Sequence, residues 1–128
     1  MRQPMRTALG QVRGNGAARS GTSHFIAERV TAIALFFLAP WFVASIVASG
    51  VETYWGAVAF LKSPLNAIGV ILLIAVACHH MAMGMRVIVE DYIHKHATKA
   101  LLLIANAFVC IALATAGVFA VLRISLGA

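Results

Sequence analysis

The sequence predicts an all-α membrane protein with three transmembrane helices. Of the 128 residues, 62% are hydrophobic and only 11% are charged, and the apolar residues fall into three long runs. A chain this short has too little interior to bury so much apolar surface in water. A run of ~20 apolar residues spans the hydrocarbon core of a bilayer. We therefore expect lipid to be the solvent for most of the chain.

The chain divides into a polar cytoplasmic tail, residues 1–22, and a membrane-anchor domain, residues 23–128. The tail contains Arg, Gly, Gln, Asn and Ser without an apolar period, which is typical of a segment outside the membrane. The apolar runs predict three spans, at about residues 30–49, 64–89 and 99–122.

Local sequence supports these spans. Pro40 lies at the centre of the first span and is expected to kink it. Pro64, preceded by a serine cap, is a first-turn proline of the kind common at helix starts. Between the first two spans we predict a short loop, residues 50–63, in which Tyr54 and Trp55 suit the membrane interface.

The basic residues predict a cytoplasmic N-terminus and a periplasmic C-terminus. The residues up to Arg29 and the segment from Arg86 to Lys99 share one side of the membrane and contain eight Lys or Arg residues, whereas the other side has two, Lys62 and Arg123. An excess of Lys and Arg marks the cytoplasmic side. Basic charge that flanks spans in this way indicates topology, so we expect no nucleic-acid partner. The Arg-rich start also suits an organellar transit peptide, but because the chain retains it from Met1 we expect a bacterial inner-membrane protein.

Two adjacent histidines lie deep in the second span. Ionisable side chains inside a bilayer are costly, so such residues are candidates for function. His79 and His80 lie ~100° apart on a helix and cannot both face one site. His80 shares a stripe with Gly84, Val87 and Asp91 that extends from mid-membrane to the cytoplasmic edge. The stripe favours His80, and His79 remains the alternative in a shifted register.

This stripe has the chemistry of a haem site. A neutral imidazole at mid-membrane is a good axial ligand for haem iron. A glycine one turn along, Gly84, lets a flat macrocycle lie against the backbone without meeting a Cβ. The alternative interpretations are an interhelical hydrogen bond for His80 and close helix packing at Gly84.

Two further residues are candidates for ligand contacts near the cytoplasmic face. Arg29 is predicted to begin the first helix at the membrane face where Asp91 lies, and it can pair with a haem propionate or simply snorkel to the interface. Tyr92 can donate a hydrogen bond to a ligand carbonyl or belong to the aromatic belt.

Two segments carry a family resemblance. One lies in the second span and consists of a histidine, a glycine four residues later and then an Asp-Tyr pair. In this sequence it reads His80-Met-Ala-Met-Gly84, followed by Val87-Ile-Val-Glu-Asp91-Tyr92. The other is the stretch Ser23-His24-Phe25-Ile26-Ala27-Glu28-Arg29 before the first span. With the three-span layout, they make residues 20–123 resemble the hydrophobic membrane anchor of succinate dehydrogenase, the D subunit of bacterial respiratory complex II.

The resemblance implies a haem site shared between two subunits. His80 matches the axial ligand of haem b, whose other ligand comes from a partner cytochrome b subunit. Gly84 matches the glycine of the same motif, and Arg29 matches the arginine near the haem propionates.

The resemblance also implies part of a ubiquinone site. Tyr92 matches the tyrosine that hydrogen-bonds to a ubiquinone carbonyl, and Asp91 matches the acid that supports quinone protonation. Ser23 and His24 fall in a region that lines the same cytoplasmic face.

We therefore expect an anchor subunit of succinate:ubiquinone oxidoreductase, in the respiratory chain and the tricarboxylic acid cycle. Its expected partners are the cytochrome b, iron–sulfur and flavoprotein subunits, and the isolated chain should have no activity. No Gly-rich dinucleotide fingerprint or cysteine cluster occurs in the sequence. Two alternatives remain open: a haem-free structural or assembly subunit, and a small proton-coupled transporter subunit with His80 and Asp91 as a relay.

Overall fold

The computed structural model describes Thr7, Leu9 and residues 19–127. In this part of the chain four helices occur, α1 (Arg19–Ala48), α2 (Tyr54–Lys62), α3 (Pro64–Tyr92) and α4 (His96–Leu126). Three stretches are long and apolar enough to cross a membrane, with mean hydropathies of 2.3, 2.0 and 2.3: Gly21–Ala48, Pro64–Tyr92 and His96–Leu126. The predicted all-α, three-span architecture is confirmed, while most of the predicted tail, residues 1–22, lies outside the described residues.

The first helix begins earlier than the sequence predicted. A span starting near residue 30 was expected, but α1 begins at Arg19 and continues through Pro40. Hydropathy missed this extension because most of the added residues are polar. His24, Ala27 and Thr31, one turn apart on α1, are half-buried on the side of α3.

The predicted first loop, residues 50–63, contains a helix, so that prediction was wrong for most of its length. The hydroxyl of Thr53 accepts a hydrogen bond from the Gly56 amide at 3.1 Å and thereby caps the start of α2. At its end, the Asn66 side chain donates to the Phe60 carbonyl at 3.1 Å. Phe60 is buried, which fixes α2 against the bundle.

The turn after α1 explains how α2 reaches the bundle. Gly50 adopts a positive φ of 58°, a conformation that only glycine adopts without strain. The amides of Gly50 and Val51 donate to the carbonyls of Val47 and Ile46, at 3.2 and 3.4 Å, which is the Schellman pattern of a helix end. Val51 then packs on the same core as Ile46.

The long helices form an antiparallel bundle with α3 in contact with both α1 and α4. The Asn106 side chain of α4 donates to the Ala82 carbonyl of α3 at 2.9 Å. Near the connection between these helices, the Lys99 ammonium donates to the Glu90 carbonyl at 2.7 Å. Since α3 ends at Tyr92 and α4 begins at His96, both helices extend further than their predicted spans.

The core lies at the end of the bundle that contains α2. We call this end of the bundle the packed half, and its buried core residues are Phe60, Ala67, Val70 and Val121. Gly69 lies directly against the ring of Trp41, which lets α1 approach α3 closely. Gly117 likewise accommodates Ile74, whose Cγ2 would lie 3.2 Å from a Cβ at that position. Small residues at helix contacts are the usual means of close packing in membranes.

Candidate functional site

The two adjacent histidines have different surroundings. The imidazole of His80 is half-buried, and its Nδ1 lies 2.9 Å from the Thr31 hydroxyl oxygen of α1. His79 is exposed and lines a cleft on a neighbouring face of α3. Within the described part of the chain, that contact with Thr31 is the one hydrogen bond that the His80 ring makes. Its Nε2 therefore makes no hydrogen bond to any described residue.

Gly84, one turn beyond His80, lies beside open space. A Cβ built at this position would have no described atom within 4 Å outside the backbone of its own helix. At Gly69 and Gly117, by contrast, a Cβ would meet a side chain of another helix. Close packing against another helix of the described part of the chain therefore does not account for Gly84.

A cleft of about 1050 Å³ lies between α1, α3 and α4. We call the half of the bundle that contains this cleft, His80 and Gly84 the open half. The polar residues lining the cleft are Ser23, His24, His79, Arg86, Glu90 and Asn106. The Nε2 of His24 is buried and has no hydrogen-bond partner among the described residues. Buried nitrogens usually have a partner, so this atom is available to a group that enters the cleft.

An ion pair in the cleft was not anticipated from the sequence. The Arg86 Nε lies 2.7 Å from the Glu90 carboxylate, one helical turn away. Both side chains are roughly half exposed, at 56% and 42%. The spacing of four residues between opposite charges could have indicated this pair. It explains how Arg86 is tolerated near a membrane edge.

Asp91 and Tyr92 lie in the last turn of α3 and do not line the cleft. Both are exposed, and the Tyr92 side chain is 76% exposed. Tyr92 follows Glu90 by two residues, so it projects ~200° around the helix from a residue that faces the cleft. The structure therefore does not bring Tyr92 together with Ser23 and His24, although the sequence analysis assigned all three to one membrane face.

The predicted position of Arg29 was wrong. It lies inside α1, ten residues after the helix begins, and not at the start of the helix. Because Thr31 meets His80, Arg29 lies near the depth of that histidine, whereas Asp91 is ~16 Å further along α3. Its guanidinium lies 5.1 Å from the centre of the Phe25 ring. Since Arg29 and Thr31 are ~200° apart around α1, Arg29 projects away from α3.

Thr31 also belongs to this site, although the sequence did not predict it. Its hydroxyl contacts two carbonyls of its own helix as well as His80. The available signal was a hydroxyl-bearing residue in the apolar first span, two positions after Arg29. The sequence could not show that this position would face His80.

Comparison with known proteins supports one family. Residues 3–115 match the succinate dehydrogenase/fumarate reductase transmembrane subunit family. The chain is 30% identical over 115 residues to the succinate dehydrogenase hydrophobic membrane anchor subunit of Paracoccus denitrificans, covering 90% of this chain and 88% of that protein.

Relatives of the same description occur in Rickettsia. The protein of Rickettsia conorii is 28% identical over 106 residues, covering 79% of this chain and 81% of that protein. The Rickettsia bellii protein is 29% identical over 105 residues, covering 82% and 84% respectively. No solved structure shows a significant match. These relatives are bacterial, and with three apolar helices the chain is a multi-pass protein of the bacterial inner membrane. It belongs to the succinate dehydrogenase/fumarate reductase transmembrane subunit family and is a membrane anchor subunit of that family.

Proposed function

We propose that this chain anchors a succinate:ubiquinone oxidoreductase, shares haem b with a partner cytochrome b subunit and forms part of the ubiquinone site. The N-terminus lies in the cytoplasm in this proposal. Electrons from succinate arrive through partner flavoprotein and iron–sulfur subunits. The family membership supports the assignment to such a complex. With two cysteines in the whole sequence, this chain cannot bind a four-cysteine cluster by itself.

One observation carries the haem assignment: the half-buried His80 ring uses Nδ1 for Thr31 and leaves Nε2 without a hydrogen bond to any described residue. An imidazole with one nitrogen fixed and the other bearing a lone pair is a good iron ligand. Among the described residues, His79 makes no comparable hydrogen bond to a second helix. The proposal therefore makes His80 the axial ligand.

The surroundings of Gly84 are also compatible with haem bound at His80. Its open surroundings leave space for a flat macrocycle or a partner helix against α3. Haem bound there would supply a one-electron redox centre within the membrane. This chain contributes the ligand, its orientation and the apolar surface around it.

We assign Arg29 to a haem propionate, and the support is its depth near Thr31. A guanidinium at that depth in an apolar helix needs an anionic partner or access to the interface. Arg29 projects away from α3, so its guanidinium would have to turn toward α3 to hold a propionate of a haem bound at His80. Replacing Arg29 by Gln should weaken haem retention without abolishing the haem spectrum.

Asp91 and Tyr92 provide the quinone contacts in this proposal. The phenol of Tyr92 donates a hydrogen bond to a quinone carbonyl, and Asp91 supports proton delivery to the reduced oxygen. Their exposure at the end of α3 leaves both side chains accessible to a quinone held against a partner subunit.

Ser23 and His24 line the cleft and provide a second place for a quinone headgroup. The cleft volume of about 1050 Å³ is comparable with small-molecule sites. If Ser23→Ala and His24→Ala raise the KM for quinone while Tyr92→Phe does not, the quinone binds in the cleft and not at Tyr92.

The structure gives no support to a proton relay between His80 and Asp91. The two residues are ~16 Å apart along α3. Gly84 and Val87, which lie between them on this stripe, carry no titratable group. A haem-free structural subunit remains the competing function, and it predicts a colourless complex.

The test is an absorption spectrum of the complex purified in mild detergent, with its subunits identified. We expect a b-type signal that His80→Ala abolishes and His79→Ala preserves. Subunit stoichiometry serves as the control for assembly in both variants. A colourless wild-type complex with normal quinone reductase activity, or a signal kept in His80→Ala, contradicts the haem assignment.

A further inference from the structure

The Thr31 hydroxyl is held by its own helix and by the His80 ring at once. Its oxygen lies 2.9 Å from the Ala27 carbonyl, 3.0 Å from the Glu28 carbonyl and 2.9 Å from the Nδ1 of His80. Hydroxyls of Thr within helices commonly bond the carbonyls three and four residues before them. Here the same oxygen also reaches a histidine on a second helix.

The number of hydrogens decides the direction of each bond. A hydroxyl has one hydrogen to donate and two lone pairs to accept with, whereas carbonyl oxygens can only accept. If the hydroxyl donated to the ring, its oxygen would face two carbonyl oxygens at 2.9 and 3.0 Å with no hydrogen between them. The hydrogen therefore goes to the carbonyls of Ala27 and Glu28, and the oxygen accepts from Nδ1–H.

This arrangement fixes the tautomer of His80. A neutral imidazole with its hydrogen on Nδ1 has its lone pair on Nε2. The bond also sets the rotation of the ring, because the Thr31 oxygen is itself anchored to the backbone of α1. Metal-binding histidines commonly donate their second ring nitrogen to a protein acceptor, which orients the ring and raises its basicity.

We propose that Thr31 is a positioning residue, which holds His80 in the Nδ1–H tautomer and directs its Nε2 lone pair to the iron. This inference rests on the proposed haem-ligand function of His80. Thr31 itself does not touch the iron; it acts through the ring. His79, at the preceding position of the helix, lacks such an acceptor in the described part of the chain.

The test uses Thr31→Val, which removes the hydroxyl but preserves the branched shape, in the complete complex purified in mild detergent. We expect haem retention to fall ~10-fold or more. The low-spin ferric electron paramagnetic resonance signal should shift and broaden, because the ring orientation is no longer fixed. The haem midpoint potential should rise. Without the Thr31 acceptor for Nδ1–H, the His80 ring would donate less electron density to the iron and would stabilise the ferric state less.

Two variants control for a merely structural effect. Thr31→Ser retains the hydroxyl and should restore the wild-type signal and haem retention. Thr115→Val removes a hydroxyl from an exposed position of α4 that makes no hydrogen bond to the His80 ring, and it should change neither. If the valine variant assembles poorly, Thr31→Ala is measured with the same readouts.

Failures of the two proposals differ. A normal wild-type haem spectrum with unchanged retention, resonance signal and potential in Thr31→Val overturns this inference alone. Loss of the signal in Thr31→Ser to the same degree as in Thr31→Val also overturns it, because the hydroxyl would then be irrelevant. A wild-type complex without a b-type spectrum overturns the proposed haem function and this inference with it.

Discussion

The two halves of the bundle are held together in different ways. In the packed half, side chains from α2, α3 and α4 pack closely around Phe60, and the ring of Trp41 packs directly against Gly69. In the open half, a cleft separates α1 from α4, and Gly84 lies beside open space. Lipid tails are as apolar as the side chains, so close packing is the main source of helix association in a membrane. The packed half therefore stabilises this chain, and the open half is shaped for contacts outside it.

The strongest test of this comparison is Phe60→Ala. The side chain is 7% exposed, so its removal leaves a cavity of ~100 Å³, which costs about 2 kcal/mol at the usual cost per cavity volume. The free energy of unfolding in mixed micelles, measured by titration with SDS, gives the effect. Phe36→Ala, at a position that is 73% exposed, should cost less than ~0.5 kcal/mol. Equal losses in the two variants would contradict a packed half centred on Phe60.

The glycines give a matched pair across the two halves. Gly69→Ala places a methyl group against the Trp41 ring, which has to move, and should cost about 1–2 kcal/mol through overpacking. Gly84→Ala meets no described side chain, and because Ala favours a helix interior over Gly it should stabilise the chain by up to about 1 kcal/mol. In the complete complex the order should reverse, with Gly84→Ala lowering haem retention more than Gly69→Ala. A destabilised Gly84→Ala chain would show that this glycine serves packing.

Tyr92→Phe tests whether the open half acts on ligands without affecting stability. Loss of one hydrogen bond to quinone should raise the KM, or lower turnover, by an amount equivalent to about 1 kcal/mol. The free energy of unfolding should not change, because the side chain is 76% exposed. Tyr54→Phe, in the packed half and 71% exposed, is the matched control and should leave quinone kinetics unchanged. Wild-type kinetics in Tyr92→Phe would remove this residue from the site.

The smallest effect is expected for the ion pair in the cleft. Arg86 and Glu90 are both substantially exposed, so their coupling in a double-mutant cycle with Gln at each position should be ~0.3–0.5 kcal/mol. Added salt should reduce it further. A coupling several times larger would mean that the open half is held by its own charges, and the contrast between the halves would fail.

The sequence was sufficient for the features that depend on local composition. The three apolar runs determined the three spans, because hydropathy over ~20 residues is a property of the segment alone. The motif from His80 to Tyr92 was sufficient for the family, which the match over residues 3–115 confirms. The helix α2 could have been predicted from the cap at Thr53, but the short segment was interpreted as a loop.

The tertiary structure decided the features that depend on which helix faces pack against each other. Helical periodicity placed His79 and His80 ~100° apart, but it could not say that the ring of His80 would meet Thr31 and that His79 would line the cleft. The depth of Arg29 was misjudged because the polar start of α1 is helical in the folded chain, where its inner face packs near α3. An apolar run specifies that a helix crosses the membrane; the rotation of each helix and its vertical register are set by side chains of its neighbours, which lie far apart in the sequence.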